Sequence, residues 1–202
     1  MIQLARRTPE EAERTKQKIM ESAKELFIRK GYGATSMEDI RVLSGVSKGS
    51  IYYHYKSKEQ LFVQLLEQNM LEWEEEWRTI SRPEMTATEK LYAFAHHYAN
   101  NFDDPLISAS EEFAGSHGSD PAVLDKIFEI NRQHYPIIKE ILEEGMKRGE
   151  FRQEELNTLT MILMGLIAGL GLTYFENMSK DEILAIHQKA IDLFLQGISH
   201  KS

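Results

Sequence analysis

Residues 35–58 read TSMEDIRVLSGVSKGSIYYHYKSK, and the signals of two short helices and a tight turn lie within this stretch. The apolar spacing predicts a first helix over residues 37–43. Gly45 suits a positive φ in the turn that follows. Ser47 is a good N-cap for a second helix over residues 48–54. Two short helices joined by a glycine-containing turn predict a helix-turn-helix.

The second predicted helix is poorly suited to a protein core, since Ile51 is its main apolar anchor. The backbone N–H groups at its N-terminus favour an anion, and Lys48 adds positive charge there. Lys56 and Lys58 follow just beyond the helix, so the surface suits a phosphate-lined groove. The side chains that this helix presents are Lys48, Ser50, Tyr52, Tyr53 and His54.

The adjacent tyrosines of this helix have two interpretations. Alone, Tyr52 and Tyr53 would favour packing against neighbouring side chains. The stretch 47–49 (SKG) before the pair and the stretch 56–58 (KSK) after it favour contact with DNA instead. The two side chains point about 100° apart on a helix, so they cannot both face one base pair.

Charge is divided unevenly along the chain. The formal net charge of −8, taken alone, argues against a nucleic-acid partner. Residues 1–60, however, carry 12 Lys+Arg and 8 Asp+Glu, a net of +4, whereas residues 61–202 carry a net of −12. This division predicts a basic binding module on an acidic body. The absence of cysteine excludes disulfides, thiolate metal sites, a cysteine nucleophile and thiol-based sensing.

Helix signals dominate the rest of the chain, and no strand pattern is found. The sequence therefore predicts an all-α fold of about nine helices. Ile40 and Leu43 are expected to face inward from the first helix of the predicted helix-turn-helix. Pro136 predicts a kink or break within the helical stretch 121–147. Helix starts are predicted by capping boxes at Thr8 with Glu11, Thr35 with Glu38, Ser57 with Gln60, and Ser179 with Glu182, and by Asp-Pro pairs at 104–105 and 120–121.

The stretch 45–59, GVSKGSIYYHYKSKE, resembles the DNA-binding signature of the TetR family of bacterial transcriptional repressors. The resemblance covers roughly residues 15–62. Tyr55 stands where the family usually has Phe, and Arg41 and Ser44 stand where it often has Ala. Upstream positions that also fit the pattern are Ala23, Leu26, Phe27, Gly31, Tyr32, Thr35, Ser36 and Ile40.

The resemblance implies a helix-turn-helix DNA-binding domain, residues 1–56, on a helical ligand-sensing and dimerisation domain, residues 57–202. It implies a homodimer that binds a palindromic double-stranded DNA operator, and a repressor that a small-molecule effector releases. Carried over to this sequence, the phosphate contacts are mainly Thr35, Ser36, Ser47, Tyr53, His54 and Lys58. The residues implied to approach base edges are Lys48, Gly49, Ser50 and Tyr52, and Lys56 completes the DNA-binding set.

The stretch 161–172 is apolar all round, so its helix must be covered on every side. Gly165 and Gly169 lie four residues apart on one face and would allow close backbone approach. The helix is either an ordinary core helix or part of a dimer interface, and the resemblance implies a four-helix interface between symmetry mates. The residues predicted at that interface are Leu166, Gly169, Leu170, Ile191 and Phe194.

An effector site would need an apolar cavity with a few polar groups. Trp73 and Trp77 share one helix face and are the best candidates, although an aromatic stripe is more often core than pocket. The composition favours an apolar or aromatic effector, and Glu111 or Glu112 would suit a cationic one. The full set of candidates is Met70, Trp73, Trp77, Phe94, His97, Tyr98, Phe113, His134 and Tyr135, with Phe102 and Phe128 as further possibilities.

Several classes of protein are disfavoured by the sequence. Its longest apolar run is twelve residues, too short for a membrane span, and it opens without a signal peptide, so a cytoplasmic protein without membrane contact is expected. No metal-ligand, nucleotide-binding or catalytic motif is found, so we expect no cofactor, no metal and no enzymatic activity. The alternative from another class is a helical small-molecule-binding or protein-interaction protein that does not bind DNA.

Overall fold

A computed structural model gives the structure of the chain and describes residues 8–101, 106, 109–110, 112–113, 121–171 and 178–199. Regular structure in these residues is helical, apart from one isolated antiparallel bridge between Phe151 and Ser199. The all-α prediction is confirmed. The helices are α1 (Pro9–Lys30), α2 (Met37–Ser44), α3 (Lys48–His54), α4 (Lys58–Ile80), α5 (Ala87–Asn100), α6 (Pro121–Asn131), α7 (His134–Lys147), α8 (Leu156–Gly169) and α9 (Lys180–Ile198).

The chain divides into two compact units. Unit 1 is drawn from residues 1–69 and 104–130, and unit 2 from residues 70–103 and 131–202. The predicted domain boundary after residue 56 stays a prediction, because the boundary of a compact unit need not coincide with that of a functional domain. Helical residues outside α1–α9 also belong to unit 1, and we call them the Glu112 segment: Leu106, Ala109, Ser110, Glu112 and Phe113.

In unit 1, α1 begins and ends where the sequence predicts. The Thr8 hydroxyl accepts a hydrogen bond from Glu11 N at 3.3 Å, and the Glu11 carboxylate accepts one from Thr8 N at 3.0 Å. The helix ends at Gly31, whose φ of +80° suits glycine. Its buried stripe joins the unit 1 core, which also contains residues of α2, α3, α4 and the Glu112 segment. The α1 residues of this stripe are Ile19, Ala23, Leu26 and Phe27.

The first helix of the helix-turn-helix, α2, is capped one residue later than predicted. Ser36 is the N-cap, and its hydroxyl accepts from Asp39 N at 3.1 Å. The predicted Thr35–Glu38 capping box is wrong, because the buried Thr35 hydroxyl donates to the Gly31 carbonyl at 2.8 Å. The hydroxyl therefore closes the preceding turn and is not available to α2.

The inward face of α2 also differs from the prediction. Ile40 is fully buried as expected, but Leu43 is 42% exposed. Ser44 occupies the buried position instead, where its hydroxyl donates to the Ile40 carbonyl at 2.7 Å. Gly45 then takes φ +66°, which confirms the predicted turn.

The break predicted at Pro136 is present in the chain. Helices α6 and α7 are separate, and Pro136 is the third residue of α7. A proline in the first turn of a helix removes no intrahelical hydrogen bond, so it is tolerated there. The predicted start at residues 104–105 lies outside the described residues, whereas Pro121 begins α6.

Unit 2 contains α5, α7, α8, α9 and the second half of α4. Helix α5 packs against α7 and α9, while α8 packs against α7 and α9. The Tyr92 hydroxyl donates to Asp192 Oδ1 at 2.6 Å and joins α5 to α9. The Glu150 carboxylate accepts hydrogen bonds from Ala87 N and Thr88 N, both at 3.0 Å, at the start of α5.

Candidate nucleic-acid interface and effector site

The second helix of the helix-turn-helix, α3, is held from one side and open on the other. Ser47 caps it as predicted, accepting a hydrogen bond from Ser50 N at 3.2 Å. Ile51 is completely buried and anchors the helix, and Tyr55, just past its end, is buried as well. On the outer side, Tyr53 is 74% exposed and Tyr52 is 42% exposed. The exposed residues of the predicted DNA-binding set are Ser36, Ser47, Lys48, Gly49, Tyr52, Tyr53 and Lys56.

Two residues of the predicted set lie inside unit 1 instead. The exposed fraction is 1% for Thr35 and 6% for Ser50. Helical spacing placed Ser50 on the outer surface, but α3 packs through its Ser50–Ile51 side. In the chain without DNA both hydroxyls are covered, contrary to the surface position expected for Ser50, and their contacts with DNA stay a prediction.

The lysines after α3 are partly engaged within the chain. Lys58 Nζ donates to the carbonyls of Tyr32 and Thr35, both at 2.8 Å, and lies 4.1 Å from the Tyr32 ring centre. Burial lowers the pKa of the Lys58 ammonium, against the opposing effect of the Glu59 and Glu112 carboxylates. Lys56 is exposed and donates to the Tyr52 carbonyl at 3.0 Å. Lys58 thus holds the α1–α2 turn in the DNA-free chain, which the sequence did not indicate.

Arg41, a departure from the family pattern, is paired within α2. Its Nε and Nη2 donate to the two carboxylate oxygens of Glu38 at 2.8 and 2.7 Å. Its Nη1 also lies 3.4 Å from the Val46 carbonyl in the turn. The sequence missed Val42 at this end of α2, which is 62% exposed and adds apolar surface beside the turn.

In unit 2, six of the candidate effector residues form one aromatic cluster. The Trp73 ring stacks on the His97 ring at 4.4 Å between centroids and meets the His134 ring edge-on at 4.5 Å. Tyr98 also meets His134 edge-on, at 5.1 Å. We call this the unit 2 aromatic cluster: Trp73, Trp77, Phe94, His97, Tyr98 and His134.

Burial governs the titration of this cluster. Desolvation lowers the pKa of His134 to about 4, the nearby His97 acts in the same direction, and the Asn131 carbonyl opposes both. Desolvation also raises the pKa of Tyr98 to about 12, with a smaller effect from Tyr135. The neutral imidazole of His134 is therefore part of an apolar surface near pH 7.

A groove of about 420 Å³ lies between α4 and α7 beside this cluster. Trp77 belongs to both the groove and the cluster. The charged residues that line the groove are Glu74, Glu140 and Arg78, and the Arg78 guanidinium lies 3.4 Å from the Glu74 carboxylate. Acidic groups beside an aromatic ring suit a cation. Of the remaining candidates, Met70 is buried and Tyr135 is partly buried.

Three predicted effector residues lie in unit 1 instead. The Phe113 ring packs against those of Tyr32 and Phe62 with centroids 4.9 and 5.7 Å apart, in the unit 1 core rather than in the unit 2 aromatic cluster. Glu112 is hydrogen bonded to the α1–α2 turn. Phe128 lies on α6 and is 53% exposed. Phe102 and Glu111 lie outside the described residues.

One face of α8 is apolar and exposed within the single chain. Met161 and Ile162 are 58% and 53% exposed, and Leu166 is 36% exposed. No described atom beyond the helix's own backbone lies within 4 Å of a Cβ built at Gly165 or Gly169. The α8 stripe is thus uncovered, although the sequence requires a cover on every side.

The predicted interface residues on α9 need correction. Ile191 is completely buried and Phe194 is 8% exposed within the chain itself, so little of either side chain remains for a partner. The exposed apolar residue on this part of α9 is Leu193, at 59%. Helical periodicity alone does not tell which stripe of a helix faces its own core.

Two absences apply to the described residues only. They hold no group of three or more His, Cys, Asp or Glu side chains that could bind a metal ion. Among them, no helix has the length and apolar character needed to cross a membrane.

The exposed α3 on its helix-turn-helix defines the class of protein as a helical DNA-binding regulator, and comparison with known proteins gives the family. Residues 19–65 match the model of bacterial regulatory proteins of the tetR family, and residues 69–200 match the model of the QacR-like C-terminal region. The chain belongs to the TetR family of bacterial regulatory proteins. It is a ligand-responsive transcriptional regulator and not an enzyme, so the alternative without DNA binding is not supported.

Individual relatives agree with this assignment. The transcriptional regulator QacR of Staphylococcus aureus is 30% identical over 185 residues, which cover 91% of this chain and 98% of QacR. The fatty acid metabolism regulator protein of Bacillus subtilis is 25% identical over 91% of this chain and 95% of its own length. A crystal structure of FadR from Bacillus subtilis in complex with stearoyl-CoA has a TM-score of 0.75 at 24% identity, covering 90% of this chain and 98% of that one.

Proposed function

We propose that the protein is a repressor that binds a palindromic operator as a homodimer, with α3 of each subunit in the major groove. The observation that carries this proposal is the exposed Tyr52–Tyr53 pair on a helix whose opposite side is anchored by the buried Ile51. Lys48 and Lys56 add positive charge at the two ends of that surface. A tyrosine pair that served as packing would be covered, and Tyr53 is the most exposed large hydrophobic residue of the described chain.

The second subunit would cover the apolar stripe of α8. Glycine within a helix lowers stability by about 1 kcal/mol relative to alanine, so Gly165 and Gly169 need a compensating role. Their own chain supplies none, since a Cβ at either position meets open space in the described structure. Close approach of a partner helix across Met161, Ile162 and Leu193 gives these glycines that role.

The unit 2 aromatic cluster and its acidic groove favour an apolar or aromatic effector, with a preference for positive charge. Trp77 contributes an aromatic ring, and Glu140 contributes negative charge, whereas the Glu74 carboxylate is paired with Arg78. The FadR structure in complex with stearoyl-CoA supports the idea that a protein of this fold can bind a ligand with a long apolar chain. An effector that favours a dimer geometry with the wrong spacing of the two α3 helices lowers DNA affinity by linkage. A regulator of this kind would act in the cytoplasm.

The decisive experiment is selection of an operator from random duplexes, followed by binding measurements on Tyr53→Ala and Lys48→Ala. Each substitution should weaken operator binding about 10- to 100-fold, while circular dichroism and dimer mass stay unchanged. Binding should also weaken steeply with salt. Loss of folding in Tyr53→Ala would support the packing interpretation, and salt-insensitive binding would contradict docking through phosphates.

A further inference from the structure

The carboxylate of Glu112 binds the backbone of the turn between α1 and α2. Its Oε2 accepts from Tyr32 N at 2.8 Å and its Oε1 accepts from Gly33 N at 2.9 Å. These partners are separated from Glu112 by 80 and 79 residues, yet all of them belong to unit 1. Hydrogen bonds from two consecutive N–H groups to one carboxylate are charge-assisted and fix its orientation.

The turn is shaped to admit this carboxylate. Gly31 has φ +80° and ψ 168°, a combination that glycine adopts and other residues avoid. A Cβ at Gly31 would lie 2.7 Å from Oε2 of Glu112, and one at Gly33 would lie 2.6 Å from Oε1. The two glycines leave room for the Glu112 side chain, so the fit depends on both sides of the contact.

The same turn is held from α4. Lys58 Nζ donates to the Tyr32 and Thr35 carbonyls at 2.8 Å, and the Tyr32 hydroxyl donates to Glu59 Oε1 at 3.2 Å. Glu112 thus accepts hydrogen bonds from two N–H groups of the turn, and Lys58 donates hydrogen bonds to two of its carbonyl groups. These hydrogen bonds hold the turn between α4 and the Glu112 segment.

The position of this turn matters because it leads directly into the helix-turn-helix. Ser36, the N-cap of α2, follows Thr35 immediately, and α2 is joined to α3 by a turn of three residues, 45–47. A displaced α1–α2 turn therefore moves α2, and α3 with it. Base-edge contacts tolerate such a displacement less than phosphate contacts do, because only the former depend on an exact register in the groove.

We propose that Glu112 is a positioning residue for operator recognition, acting through the α1–α2 turn without touching DNA. The proposal rests on the proposed function, since it concerns the operator that α3 would read. Glu112 would thus contribute to sequence specificity although it lies more than fifty residues after the helix-turn-helix. A residue that only stabilised the fold would affect all DNA equally.

The test compares Glu112→Gln with Glu150→Gln, a matched control in unit 2. Glu150 also accepts from two consecutive backbone N–H groups, those of Ala87 and Thr88, and lies outside the DNA-binding set. Affinity for the selected operator and for an unrelated duplex is measured on the full-length dimer, and urea unfolding is followed for each variant. Glutamine keeps the size of the side chain but directs an NH₂ group at one of the two donors.

We expect Glu112→Gln to weaken operator binding about tenfold or more and to change binding of the unrelated duplex less than twofold. Glu150→Gln should lower stability to a similar degree and leave the ratio of the two affinities unchanged. If Glu112→Gln does not fold, Gly33→Ala displaces the same carboxylate by contact and should reduce the ratio in the same way.

Two results would overturn the inference. One is an unchanged affinity ratio in both Glu112→Gln and Gly33→Ala, and the other is an equal loss of ratio in Glu150→Gln. If the wild-type protein selects no duplex at all, the proposed function fails and the inference fails with it. If the wild type selects an operator and the ratio survives substitution, only the inference fails.

Discussion

Glycines in the two units stand in contrasting surroundings. In unit 1, Gly31 ends α1 with a φ of +80° and faces the carboxylate of Glu112, so contacts within the chain explain it. In unit 2, Gly165 and Gly169 lie within the regular helix α8, and a Cβ at either position meets open space in the described structure. Contacts within the chain explain the first kind of glycine, whereas no contact among the described residues explains the second kind.

The buried polar groups of the two units differ as well. In unit 1, the Tyr55 hydroxyl is buried and has no hydrogen-bond partner among the described residues. In unit 2, the His134 imidazole lies among aromatic rings, with its Nδ1 3.2 Å from the Asn131 carbonyl. A phenol without a partner weakens the fold at every pH below its pKa, while a buried imidazole weakens it only when the solution is acidic enough to protonate it.

The largest effect is expected at Gly169 of α8, whose presence no contact among the described residues explains. Gly169→Leu should dissociate the dimer, weakening self-association at least about 100-fold, because the side chain would lie between closely approaching helices. Sedimentation velocity over a dilution series measures this. The control is Gln188, which is also exposed but does not share the face of α9 on which Leu193 lies. Gln188→Leu should therefore leave the dimer intact. An undisturbed dimer in Gly169→Leu would remove α8 from the interface.

The next largest effect is expected at Gly31, which contacts within the chain explain. Gly31→Ala should lower the free energy of unfolding by about 3 kcal/mol, since it combines backbone strain with displacement of Glu112. Gly149 is the matched control, because it has φ +75° and no described atom within 4 Å of a Cβ. Gly149→Ala should lower the free energy of unfolding by only about 1–2 kcal/mol. Equal losses in urea denaturation would show that the Glu112 contact adds nothing to stability.

The imidazole of His134 should make unit 2 sensitive to acid. Its pKa is lowered to about 4 in the folded protein from 6.5, so the unfolded chain binds more protons between these values. Stability is therefore complete above pH 6.5 and is lost as the pH falls toward 4, by about 2 kcal/mol at pH 5.

Burial lowers the pKa of His187 as well, so His134→Phe should reduce the slope of stability against pH without abolishing it. Urea denaturation at a series of pH values measures these slopes. A His134→Phe variant with the wild-type slope would show that the imidazole is not desolvated.

The smallest effect is expected at Tyr55 in unit 1. Tyr55→Phe should raise the free energy of unfolding by about 1 kcal/mol, because it removes a buried hydroxyl that lacks a partner. Tyr32→Phe should do the opposite, since the Tyr32 hydroxyl donates to Glu59 at 3.2 Å. Chemical denaturation of the two variants checks the opposite signs, and a loss of stability in Tyr55→Phe would indicate a partner for that hydroxyl.

The sequence predicted well those features that depend on neighbouring residues. The cap at Ser47, the turn at Gly45 and the break before α7 follow from local backbone preferences, and the structure confirms all three. Trp73, His97 and His134 were predicted only as candidate contacts of an effector, and the structure brings their rings together in one cluster.

Features that depend on which face packs inward were not predictable in this way. Ser50 and Tyr53 belong to the same short helix, and only its docking on the unit 1 core decides which of them is buried. On α9, for the same reason, Phe194 was predicted at the interface, whereas the exposed apolar residue is its neighbour Leu193. Phe113 and Glu112 were assigned to the wrong unit because their partners, Phe62 and Tyr32, lie some fifty to eighty residues earlier in the chain.

The inclusion of the Glu112 segment in unit 1 has a consequence for protein engineering. The core of unit 1 combines Phe27 and Phe62 with Leu106, Phe113 and Ile127. A chimaera that takes only the first 69 residues would lose four of the fifteen buried residues described for this core, and it would uncover the Tyr32 and Phe62 rings where Phe113 packs on them. A chimaera that also includes residues 104–130 keeps the core complete. The smallest DNA-binding unit that could be transferred to another protein is therefore made of two separate stretches of the sequence.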